Sequence, residues 1–326
     1  MLRHQYLFWL ILCSISVSGQ TKHTVYYPDG IIHIEYYTKN GLLNGNYNSF
    51  HENGQKKAEG QFIDNQRKGN WTIYDEQGTK RMERTFKNSF DSKIIEVWDS
   101  TGEKCKTIRY SNPKYTIADP AFGYIPYFPL TEKEVAWSKT LYRDISVDSM
   151  VNKPLFHENH LYKIILEGIK SNEINAYGDQ EFRNTLTYDS IKEYENSAVS
   201  VFRIKEDLLY NKTLNFAEYR IISICPAIRK SGRTKPLFWI YYPEIRGILA
   251  KKSIRPGISA DISNFENIFQ YRYFFSIIYK ENNVYDREIR DYKKGKDIVK
   301  EAERIEMSVM DYECEWWYKN IVHCKK

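Results

Sequence analysis

The chain is poor in the residues on which most catalytic and metal chemistry depends. Its 326 residues include seven histidines and five cysteines, and no HExxH, CxxC pair or glycine-rich phosphate loop occurs anywhere. The sequence therefore offers no zinc-protease, zinc-ribbon or nucleotide-binding motif. His157 and His160 stand three apart at a helix start, but a metal would need further ligands that the sequence does not identify. Glu206 and Asp207 are adjacent acids, and neighbouring strand residues point to opposite faces, so they cannot act on one bond without a bulge. An enzyme is disfavoured, and no catalytic, cofactor-binding or metal-binding residue is assigned.

Single-sign charge is missing too. The net charge is +6, with Lys and Arg interspersed among Asp and Glu, which argues against a nucleic-acid partner. No apolar run is long enough to cross a bilayer. The run Tyr6 to Cys13 follows Arg3 and His4, and Val17 and Gly19 occupy the −3 and −1 positions of a cleavage before Gln20. This is the pattern of a secretory signal peptide over residues 1–19. Cys13 admits a lipoprotein alternative, although Leu12 stands where a small residue is needed. Beyond the leader remain Cys105, Cys225, Cys314 and Cys324, too few for a disulfide scaffold. Cys225 reads as a buried thiol, and Cys314 and Cys324 can pair if the chain turns near Asn320.

What the chain has in quantity is aromatic residues, 15% of the total, within a hydrophobic fraction of 42%. The length suggests two folded units. In the first, residues 20–112, Gly30, Gly54, Gly78 and Gly102 recur every 24 residues, each preceded four positions earlier by Tyr26, Phe50, Tyr74 or Trp98. Gly45 and Gly69 share the period, as do Asn40, Asp64, Asn88 and Asn112. Each unit reads as a hairpin whose turn needs positive φ, stacked on its neighbours because one hairpin cannot bury its own aromatics. Two readings of the aromatic column stand here: a stacked core, or a ligand-binding ladder on an exposed face.

Residues 113–129 carry Pro113, Pro120, Pro126 and Pro129 and form an extended linker. Its aromatics suggest that it lies against a surface. The second unit, residues 130–326, is organised around two apolar runs, Tyr219 to Ile228 and Leu237 to Leu249. Both read as buried strands, the second ending or reaching an edge at Pro243. Lys139 to Ser146, Asn175 to Phe182 and Ala198 to Tyr210 read as further strands, and Glu158 to Ser171 as a helix, with a short helix near Ser190 to Glu195. Ser263 to Glu266 has capping-box spacing, opening a buried helix to about Tyr279. From Asp297 to about Lys319, Ile298, Ala302, Ile305, Val309, Tyr312 and Trp316 form a heptad seam, for its own domain or for a partner helix.

The repeat resembles the MORN repeat in the variant of YwqK-type antitoxin-like proteins. It departs from that pattern in its first unit, at Ile31 to Ile34, and in its last, at Pro113; both read as caps. The second unit resembles the GldN/PorN family of gliding motility and type IX secretion proteins. The resemblance rests on "EVAWSK" at 134–139, "AYGDQEF" at 176–182, "IKED" at 204–207, "RIISICP" and "LFWIYYPEIR" in the two apolar runs, "KENNVYDREIRDY" at 280–292 and "EAERI" at 301–305. Asp144-Ile145-Ser146 departs from the family's usual Leu-Arg continuation. The resemblance implies a periplasmic, non-enzymatic ring component associated with the outer membrane through a GldK/PorK-like lipoprotein, contacting a GldM/PorM-like motor protein and further copies of itself.

The fold expected is α+β, an N-terminal all-β array of MORN-like hairpins followed by a mixed α+β domain. The alternative function is a periplasmic adaptor whose repeats bind a peptide, a glycan or another envelope ligand. Trp316, Trp317 and Arg246 are the candidate interface residues, because aromatics and Arg concentrate at interfaces.

Overall fold

The computed structural model describes residues 19–89, 91–109, 117–213, 215–230, 232–254, 259 and 261–322; the side chains of 91–93 and 216 lie outside that description. The leader up to residue 18 lies outside it as well, as do Asn112, Pro113 and Cys324.

The first unit is one antiparallel meander of eight strands in sequence order. These are β1 (Thr21–Tyr26), β2 (Ile32–Lys39), β3 (Leu42–Phe50), β4 (Lys56–Ile63), β5 (Gln66–Tyr74), β6 (Lys80–Asn88), β7 (Asp91–Trp98) and β8 (Lys104–Arg109). The repeat glycines close the turns: Gly30, Gly54, Gly78 and Gly102 have φ of 89°, 79°, 81° and 86°. Asn40 and Asp64 turn the chain the other way with φ of 54° and 49°, a conformation that Asn and Asp tolerate best among non-glycine residues.

The buried face of this sheet carries Ile34, Tyr47, Ala58, Trp71, Ile73, Met82, Ile95 and Val97. The aromatic column that defines the repeat is not among them. Tyr26 is 59% exposed, and Phe50, Tyr74 and Trp98 are only half-buried. Each follows a residue committed to the core (Val25, Ser49, Ile73 and Val97) and so turns to the other face. The period fixes the spacing of the aromatics but not the side they face.

Close approach inside the sheet depends on Gly60. A Cβ built there would lie 2.2 Å from the Trp71 ring, which packs flat over the strand. Gly60→Ala is expected to destabilise the protein by about 2 to 3 kcal/mol through overpacking. An unshifted urea midpoint would show that the ring has room to move.

The second unit is built on a sheet ordered β11-β10-β15-β13-β12-β9-β16, with β14 paired to β13. Its strands are β9 (Val135–Ser146), β10 (Ala176–Tyr177), β11 (Thr185–Leu186), β12 (Val201–Asn211), β13 (Phe216–Lys230), β14 (Arg233–Pro236), β15 (Trp239–Tyr241) and β16 (Ile277–Glu281). Helices α1 (Lys153–Phe156), α2 (His160–Lys170), α3 (Tyr188–Ile191), α4 (Tyr242–Lys251) and α5 (Phe265–Gln270) contribute to one apolar cluster on it.

Several elements differ from the sequence reading. The second apolar run gives only a three-residue strand before α4, because Pro243 occupies the first turn of a helix, where its missing N–H is not needed. The helix opened by Asn264, whose side chain accepts the Asn267 N–H at 2.9 Å, stops at Gln270. Arg272 then takes φ 53°, and Ile277 onward pairs as an edge strand. The described part of the linker, from residue 117, packs against the second unit: Ile125 is buried and its carbonyl accepts Arg246 Nη2 at 2.8 Å.

The last helix, α6 (Lys296–Asn320), joins the two units. Ala302, Ile305 and Val309 pack with Leu141, Leu208 and Ile278 of the second sheet. Met307, Met310, Cys314 and Trp317 pack with the buried face of the repeat sheet. One sheet covers each side of the helix, so the repeats and the second unit share a core through it.

Candidate functional site

Polar side chains fix α6 against the repeats. In each repeat the second strand bulges opposite the aromatic, with register shifts at Val25/Tyr26, Ser49/Phe50, Ile73/Tyr74 and Val97/Trp98. Such a bulge re-aims a side chain, and the extra residues are His33, Lys57, Arg81 and Cys105. His33 Nε2 and Lys57 Nζ both reach Asp311 of α6, at 3.0 and 2.8 Å. Burial alone would raise the Asp311 carboxyl, but the His33 hydrogen bond and the Lys57 ammonium hold it below the usual carboxylate value. Glu313 takes Arg67 and accepts the Ala217 N–H at 2.8 Å, and Glu303 takes His23 at 3.1 Å and the Tyr36 hydroxyl.

A second network crosses the other unit. Leu141, Arg143 and Ile145 alternate onto one face of β9. Ile145 joins the helix-covered cluster and Leu141 the α6 cluster, so Arg143 sits at the seam between them. Opposite stands Glu206, which is 0% exposed. It takes Arg143 Nε and Arg272, the latter at 2.7 and 3.2 Å, while Arg143 also reaches Glu306 of α6 at 3.1 Å. A bulge does occur at Lys205/Glu206, yet Asp207 turns away to accept Thr140 Oγ1 at 2.7 Å. The two acids therefore do not share a site.

Arg143, Arg272, Glu303, Glu306 and Tyr219 line a cavity of about 540 Å³ between the two sheets, α6 and the linker. Its charged groups are ion-paired, with one another or with Glu206, Arg220 and Arg246 just behind the wall, and Asn65, Gln66, Ser89 and Gln270 interrupt a lining that is otherwise largely apolar. That arrangement fits a structural seam.

The candidate interface residues are placed differently from expectation. Trp317 is 0% exposed, its indole N–H donating to Asn215 O at 2.9 Å. Trp316 is half-buried with its ring centre 5.2 Å from that of Tyr210. Arg246 is buried, held by Glu266 at 2.6 Å between the Tyr124 and Tyr127 rings. Trp317 is taken up by the packing of α6 on the repeats and Arg246 by the packing of α4 on the linker, which leaves only Trp316 partly open to a partner. The heptad seam likewise serves the chain's own sheet through Ala302, Ile305 and Val309, while Tyr312 is exposed.

The surface instead shows a feature missed in the sequence. Val284 and Tyr285 are 98% and 74% exposed. They stand on a loop shaped by Asn283, whose Oδ1 accepts the Tyr285 and Arg287 N–H groups and whose Nδ2 donates to Glu281 O and Arg287 O. The repeated Asn in "KENNVYD" was the available signal, since Asn side chains build such turns.

His157 faces Glu158 at the surface at 3.8 Å and His160 packs its ring edge-on to Phe265. Among the described residues no cluster of three or more His, Cys, Asp or Glu could hold a metal. Cys225 and Cys314 are free, buried thiols, each pushed up to about 12 by burial. The Cys314 to Cys324 pairing that the spacing left open is not made, because Cys314 is a free thiol pointing into the apolar face that α6 shares with the repeats. Cys105 is disulfide-bonded. No helix among the described residues is long and apolar enough to cross a membrane.

The family model for gliding motility associated protein GldN matches residues 130–318, from just before β9 nearly to the end of α6. No curated protein matches the chain.

Proposed function

Since residues 130–318 make this chain a member of the GldN family of gliding motility associated proteins, we propose that it is a non-enzymatic structural subunit of a type IX secretion or gliding apparatus. In this reading it is periplasmic, forms a ring with further copies of itself and a GldK/PorK-like outer-membrane lipoprotein, and contacts a GldM/PorM-like motor protein. The family match carries the reading. The packing is consistent with it: the matched region supplies both the second sheet and most of the helix on which the repeats pack.

The Val284-Tyr285 loop is the partner-facing surface we favour. Its apolar side chains are exposed on a hydrogen-bonded scaffold, so little ordering entropy is lost on docking. The full chain should co-purify with the lipoprotein from envelope extracts. A Val284→Ser, Tyr285→Ser double variant should fold normally and recover at least tenfold less lipoprotein. Absence of the lipoprotein from wild-type preparations would overturn the assembly reading; undiminished recovery with the double variant would remove the loop from it.

A further inference from the structure

We propose that the outward face of the repeat sheet binds an extended, neutral β-1,4-linked glycan. Tyr26, Phe50, Tyr74 and Trp98 end β1, β3, β5 and β7 and turn away from α6, so the side that carries them is free of the chain's own core. Successive rings are two strands apart. Two strand spacings come to about 9.6 Å, close to the length one disaccharide spans in an extended β-1,4-linked chain. The four rings therefore mark three successive disaccharides.

The polar groups between the rings keep the same period. Lys56 pairs with Glu59 and Lys80 with Glu83, each at 2.7 Å, at equivalent positions of successive repeats. The outer pairs are built differently: Glu35, at the position of Glu59, takes Lys22 of β1 at 2.5 Å, and Lys104, at the position of Lys80, takes Glu96 beyond the last interval. Each interval thus presents one cation and one carboxylate that neutralise each other and can hydrogen-bond to hydroxyls, which suits an uncharged sugar better than a polyanion. Tyr74 Oη already donates to Glu59 at 2.5 Å, coupling ring and carboxylate in one unit. Lys80 Nζ stands 4.0 Å from the centre of the Trp98 ring. An aromatic face that attracts a cation also attracts the positively polarised C–H face of a pyranose.

This inference goes beyond the assembly reading and does not need it. The test is calorimetric titration of the full mature chain with chitobiose, chitotetraose and chitohexaose, with dextran as control. Affinity should rise at least tenfold from the disaccharide to the hexasaccharide, and dextran should not bind. A Tyr26→Ala, Tyr74→Ala double variant that keeps its native circular dichroism should lose at least tenfold for the hexasaccharide. Tyr26→Ala alone, at the most exposed ring, should lose about threefold and serves if the double variant fails to fold. No binding, affinity independent of length, or a folded variant that binds like wild type would each overturn the proposal.

Discussion

Truncating Trp317 to alanine should lower the stability of the whole chain by about 3 to 5 kcal/mol, read as a shift of the denaturant midpoint. The side chain is fully buried, with the Arg67 and Arg84 guanidinium carbons 5.7 and 5.6 Å from the ring centre. Phe86 packs near by, with ring centres 6.3 Å apart. Removal therefore opens a cavity lined partly by charge, which apolar collapse cannot fill. It also withdraws the N–H donated to Asn215 O. Because Trp317 lies on the helix shared by both units, the loss should appear in both at once. Trp317→Phe retains much of the volume and should lose less. If Trp317→Ala melts only the repeat tyrosine signals and leaves the second unit's transition where it was, the shared core is not what couples them.

That coupling was the part of the fold least visible in the sequence. The repeat period, the strand centred on Ile224 and the last helix were all legible, because each leaves a local pattern. In α6 the spacing marks one seam, Ile298, Ala302, Ile305, Val309, Tyr312 and Trp316. Its first four residues face the second sheet, but Tyr312 is exposed, and Met307, Met310, Cys314 and Trp317, with Trp316 beside them, form a second face turned toward a different sheet. A helix buried on two sides has no single period to read. The run after Phe265 failed for a related reason: apolar residues on all sides fit a buried helix and a buried strand equally. Regular structure breaks between α5 and β16 over residues 271–276, where Arg272 takes a positive φ. Trp317 and Arg246 were chosen for residue types that concentrate at interfaces, and both do lie at interfaces, but within the chain: Trp317 between α6 and the repeats, Arg246 between α4 and the linker. Composition cannot tell an internal seam from an external one. By contrast, the Val284-Tyr285 loop offers two apolar residues in a polar stretch, which no periodicity marks.

Glu206 belongs to the class that sequence does not reveal at all, since its partners Arg143 and Arg272 lie 63 and 66 residues away. Glu206→Gln should destabilise the protein by about 3 to 5 kcal/mol, because it leaves two guanidinium groups facing one another with their shared buried counter-charge gone. The pH dependence separates this from loss of shape. Burial by itself would raise the Glu206 carboxyl, but Arg272 and Arg143 outweigh it, and the folded-state value is lowered. A carboxylate with a depressed folded pKa contributes stability that is fully present above its unfolded value, about 4.3. That contribution is lost as pH falls through the lower, folded value. The wild-type chain should therefore lose stability on acidification below about pH 4.3, more steeply than Glu206→Gln. Above that pH the difference between the two should be constant. Acid limbs that run parallel would mean that Glu206 titrates alike in the folded and unfolded chain, and that the seam between the two apolar clusters is held by packing alone.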